Sequence, residues 1–115
     1  MTAHPLLYEV HTRQWLAELG ARTLDAVADD TLAELAGRGV THLWLMGVWP
    51  TGPRSREQAV TLADLRARYD LALPGWTDAD VLGSPYAIAD DQVAPELGGD
   101  AALAALRARL HRHGI

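Results

Sequence analysis

"TLAELAGRGVTHLWLMGVW", residues 31–49, decides the fold. Its first half reads as a short helix. Thr31 with Glu34 three residues on has the form of a capping box, Leu32, Leu35 and Ala36 make an apolar stripe, and Gly37 and Gly39 close the run. Its second half, residues 40–49, is apolar on both alternating faces, the pattern of a strand buried on two sides, and "PTGP" ends it. Such a strand needs a partner. "PLLYEVHT", residues 5–12, has the β-branched and aromatic content to supply one. Strand, helix and strand in this order predict a right-handed βαβ unit with parallel strands.

Working outward, "RQWLAELG" reads as a helical turn closed by Gly20, and "ARTLDAVADD" is less regular. After the second strand, "SREQAVTLADLRARYDLAL" predicts one helix. Ser55 is its N-cap, Ala59, Leu62, Leu65 and Tyr69 lie on one face, and Pro74-Gly75 stops it. "GSPYAIADDQVAPELGGD", residues 83–100, is too apolar for a disordered linker and too broken by Pro and Gly for a helix. Asp100 then caps a last helix with Leu103, Leu106 and Leu110 on one stripe and Gly114 at its end. Ile115 reads as the first residue of a third strand. A stretch as long as residues 50–99 between strand and helix is out of scale for a connection and marks a functional loop.

The 115 residues suit one domain, 1–115, with a modest core. A hydrophobic share of 49% and a charged share of 22% are globular values. With a net charge of −5 and no basic stripe, nucleic acid is excluded as a partner. The absence of Cys removes disulfides and thiolate metal sites together. The opening "MTAHPLLYEVHTRQW" has a short apolar run broken by Glu9 and no charged leader, neither a secretory signal nor a membrane span. The chain is read as soluble and cytoplasmic, with no membrane partner.

Few residues are placed to do chemistry. Asp90 and Asp91 are adjacent, and neighbours in an extended segment point to opposite sides, so the pair does not face one sugar ring. His111 and His113 stand two apart on a helix and cannot share an ion, so no metal site is expected. His11, at the end of the first strand, is either a hydrogen-bonded strand-end residue or a group facing a cleft. Ser55 and Ser84 lack the G-x-S-x-G elbow of a nucleophile. Tyr86 carries two readings: a rigid apolar platform for a sugar face, or a core tyrosine closing the loop.

Three segments in order, "LLYEVHTRQWL", "LAELAGRGVTHLWLMGVWPTG" and "GSPYAIADDQVAPELGGDAALAALRARLHRHGI", resemble the N-terminal part of an α-amylase-family glycoside hydrolase, over residues 6–115. The resemblance implies an α/β fold that is a partial (β/α)₈ TIM barrel. It would comprise the first two parallel strands with flanking helices and a long βα loop, truncated before the third strand. It further implies that Tyr86 stacks on a sugar ring, that Asp90 orders the same loop, and that Trp49 and His11 lie nearby. Asp91 stands where many members carry tyrosine, and Ser84 where many carry histidine.

The family's nucleophile aspartate, general-acid glutamate and stabilising aspartate come from later strands, so the resemblance implies no catalytic residue here. No cofactor is expected. The parent would act on an α-glucan or small α-glucoside, and this chain by itself would be inactive, with the missing barrel portion as a partner. The competing reading is a non-catalytic α/β module that associates through exposed strand edges.

Overall fold

A computed structural model describes residues 4–115; residues 1–3, the start of the stretch read as leaderless, lie outside the described residues. In chain order the elements are β1 (Leu7–His11), α1 (Thr12–Glu18), α2 (Asp29–Gly37), β2 (His42–Met46), α3 (Pro53–Thr61), α4 (Ala63–Ala72) and α5 (Gly99–Arg112). Short 3₁₀ turns lie at Leu24–Ala26, Asp78–Asp80 and Pro95–Leu97. The fold is mixed α/β. β1 and β2 form a two-stranded parallel sheet with Leu7 opposite His42 and His11 opposite Met46.

The chain divides into two compact units. One runs to Val48 and resumes at Gln92–Ile115; the other is Trp49–Asp91. Every buried residue among those described belongs to the first. Leu24, Leu32 and Leu106 are wholly enclosed, and Val10, Leu16, Val27, Leu97 and Ala102 fill in around them. Burying a leucine of this kind stabilises the unit by about 1.5–3 kcal/mol. Arg109 of α5 adds a polar clamp. Its guanidinium donates twice to Asp29 Oδ1, at 2.8 and 3.0 Å, and once to the Asp25 carbonyl. That hydrogen bond holds the Asp29 carboxyl below its ordinary range.

The sheet is covered on one face only. Strand alternation places Tyr8, Val10, Leu43 and Leu45 on one side and Leu7, Glu9, His11, His42, Trp44 and Met46 on the other. Val10 is buried, whereas Trp44 is 49% and Leu7 55% exposed. The expectation that β2 is buried on two sides is therefore corrected. Its apolar run has a second face because of composition, but no layer of the described residues covers it.

Helix starts also depart from the expected caps. α2 begins at Asp29, before Thr31, because two aspartates in its first turn suit the positive helix end. α3 begins at Pro53 rather than at a Ser55 cap, proline being pre-set for a first turn. α5 begins at Gly99, and Asp100 turns its carboxylate to accept from the Val93 amide at 2.8 Å. The single helix expected after Ser55 is two, α3 and α4, separated at Leu62, whose extended backbone (ψ 119°) interrupts the helical ladder.

Candidate functional site

The ends of the two strands are joined by an arginine. Arg13 follows β1 directly; its guanidinium donates to the Gly47 carbonyl, just past β2, and to Glu96 Oε1 at 2.8 Å. The side chain is only 19% exposed, and its Nε has no partner among the described residues. The arginine hydrogen bond holds Glu96 below the usual carboxylate range. One residue earlier, Thr12 is buried with its hydroxyl unpartnered among the described residues. His11, the last residue of β1, is exposed and shares the bare face with Glu9 and Trp44.

From Val48 the chain leaves for the second unit, and at Ala94 it returns, the Ala94 amide donating to the Val48 carbonyl at 2.8 Å. The insertion Trp49–Asp91 therefore starts beyond the C-terminal end of β2. Within it the outgoing and returning segments run antiparallel. Gly52 donates to the Ala87 carbonyl, Ala89 donates to the Pro50 carbonyl, and Thr51 bridges Ile88. Trp49 and Asp90, at the neck of the insertion, are the second residue before Thr51 and the second after Ile88.

Tyr86 sits near the neck, on a turn. The Ala87 amide donates to the Ser84 carbonyl, and the Ser84 amide donates to Ser55 Oγ at 3.0 Å, tying the turn to the start of α3. Gly83 permits this approach. Its φ is +85°, and a Cβ there would lie 3.0 Å from the Arg56 backbone nitrogen. The tyrosine is 75% exposed, which overturns the reading of a core tyrosine. Asp90 is exposed, its Oδ1 accepting from the Asp91 amide at 2.7 Å, and Trp49 is half-buried. His11 belongs to the other unit.

Sequence reading missed a second feature of the insertion. A cavity of about 550 Å³ is lined by Leu62, Leu65, Tyr69, Leu73, Trp76 and Leu82 among others. Tyr69 meets Trp76 edge-on at 5.0 Å, Arg66 lies 4.8 Å over the Trp76 ring, and Trp76 Nε1 donates to Asp70 at 2.8 Å. The signal was the apolar face of residues 59–69, which reads equally well as a helix packing on a core. In this unit no residue is buried, so the face lines a cavity.

Among the described residues no group of three or more His, Asp or Glu side chains is placed to hold a metal ion, and no helix is long and apolar enough to cross a membrane. Comparison with family models, with curated proteins and with solved structures returned no match.

Proposed function

We propose that this chain is the opening portion of an α-amylase-type (β/α)₈ glycosidase barrel and contributes one wall of an α-glucoside pocket. The observation that carries the reading is Tyr86: a 75% exposed aromatic ring on a hydrogen-bonded turn, within an insertion that leaves β2 at its C-terminal end. In α/β barrels that end of the strands is where ligands bind. An aromatic ring offers the apolar face of a sugar a flat partner, and its hydroxyl reaches a polar neighbour. Asp90 and Trp49 stand at the neck of the same insertion, and His11 ends the other strand of the sheet.

Retaining glycoside cleavage needs two carboxyl groups about 5–5.5 Å apart across one bond. Asp90 and Asp91 are consecutive, and Asp90 already accepts from the Asp91 amide. The chain binds a sugar and does not cleave it. Titrating ¹⁵N-labelled protein with maltotriose tests this: the Tyr86 and Ala87 amides shift, and Tyr86→Ala abolishes the shifts. Absence of any shift at millimolar sugar overturns the pocket-wall reading. Turnover of an aryl α-glucoside by the purified chain overturns its lack of catalysis.

A further inference from the structure

The cavity of the insertion lies wholly within one compact unit, walled by α3, α4 and the segment 76–84. No residue of β1 or β2 takes part, so it is separate from the strand edges that a barrel would extend. Helical spacing sets two of its walls. Ser55, Gln58 and Ala59 share one side of α3, and Leu65, Tyr69 and Ala72 share one side of α4. Its volume of about 550 Å³ falls within the roughly 300–1,000 Å³ of small-molecule sites.

The polar groups of the lining are mostly spent on the unit itself. The Tyr69 hydroxyl donates to the Ala59 carbonyl at 3.0 Å, and the Asp80 carboxylate accepts from the Thr77 amide and hydroxyl at 2.7 and 3.1 Å. The Ser55 and Ser84 hydroxyls each accept from a backbone amide, and Trp76 Nε1 donates to Asp70. The side-chain amide of Gln58 has no partner among the described residues.

We propose that this cavity binds an uncharged, ring-bearing apolar molecule with one hydrogen-bonding end, its rings against Tyr69 and Trp76 and its polar end at Gln58. A charged ligand meets no free opposite charge in the lining, where Asp80 is already committed. A sugar carries more hydroxyls than Gln58 can satisfy, and an extended peptide brings amides and carbonyls with the same need. An apolar ring has no such need and gains from leaving water. The unit gains too. None of its residues is buried, and Leu62, Leu73 and Leu82 of the lining are 52%, 54% and 47% exposed, so the occupant supplies the core that the insertion lacks. Tyr86 does not line the cavity, and the site does not depend on what that ring binds.

Fluorescence of N-phenyl-1-naphthylamine, an uncharged naphthyl–phenyl amine that brightens on leaving water, tests the site in the purified chain. The signal saturates at equimolar probe. Ala72→Trp fills the cavity and Leu82→Asp sets an unpaired carboxylate in its wall; each weakens binding about ten-fold or more. Gln58→Leu keeps the volume but loses the hydrogen bond, and binds about five-fold more weakly. Leu71→Asp, on the same helix as Ala72 but 85% exposed and outside the lining, binds as wild type does. Circular dichroism of each variant matches wild type; Leu82, at a half-exposed position, carries the test if tryptophan at residue 72 disturbs α4. Millimolar maltotriose leaves the probe bound, which separates this site from the sugar wall. Absence of saturable brightening overturns the proposal. So does binding that survives both Ala72→Trp and Leu82→Asp, that falls equally with Leu71→Asp, or that maltotriose displaces.

Discussion

Arg13 and Glu96 form an ion pair at 2.8 Å that links the residue after β1 to the 3₁₀ turn by which the chain returns from its insertion. The same guanidinium donates to the Gly47 carbonyl past β2, so one side chain gathers three segments that are distant in sequence. Replacing Arg13 by alanine leaves that carbonyl and the Glu96 carboxylate without their donor. The expected cost is about 1–3 kcal/mol, read as a lower midpoint in urea at unchanged slope.

Acid should weaken this link. Glu96 is held below its ordinary value of 4.5 by the arginine, so the folded chain binds a proton there less readily than the unfolded chain. Its contribution to stability is complete above that unfolded value and is lost as pH falls through the lowered folded value. Urea midpoints of wild type and Glu96→Gln therefore differ at neutral pH and converge on acidification below 4.5. A gap that stays constant with pH contradicts this.

Two adjacent glycines should respond differently to alanine. Gly98 has φ +97°, and an added Cβ would lie 2.5 Å from the Ala102 Cβ. Gly99 has φ +69° with nothing near. Gly99→Ala carries only the left-handed backbone cost, about 1–2 kcal/mol. Gly98→Ala adds overpacking of about 1–3 kcal/mol more. Thermal melts of the two variants give the order directly.

Leu106 is fully enclosed, and truncation to alanine removes its burial and leaves a cavity. The expected loss is about 2–5 kcal/mol, a large share of what so small a domain can have. Far-UV circular dichroism should show Leu106→Ala partly or wholly unfolded at ambient temperature. Leu71→Ala, at a residue 85% exposed, should leave the spectrum unchanged.

Tyr86→Ala should separate binding from stability. An aromatic ring 75% exposed contributes little to the fold, so the denaturation midpoint stays within about 0.5 kcal/mol of wild type. Maltotriose binding, by contrast, is lost. If both fall together, the ring is a structural element.

Much of the first unit was legible because its signals are local. The apolar run of residues 42–46 and its counterpart before His11 became β2 and β1 in parallel pairing. The Leu103, Leu106 and Leu110 stripe became α5, with Leu106 and Leu110 buried. Capping was less legible. Thr31, Ser55 and Asp100 each have a side chain able to cap, but the cap goes to whichever residue stands where the chain enters the helix. Proline at Pro53 and the glycine turn before Gly99 moved those entries. Arg13 went unnoticed because its partners, Gly47 and Glu96, are far away in sequence.

Taken by itself, the order of residues determined which segments become strands and helices and that the two strands run parallel, because apolar periodicity and glycine stops act within a few residues. Only the tertiary structure decided that one face of the sheet stays bare, that the apolar side of residues 59–69 lines a cavity rather than a core, and that Tyr86 stands in solvent. Those outcomes depend on which distant segments arrive to exclude water, and apolar character alone does not specify what will cover it.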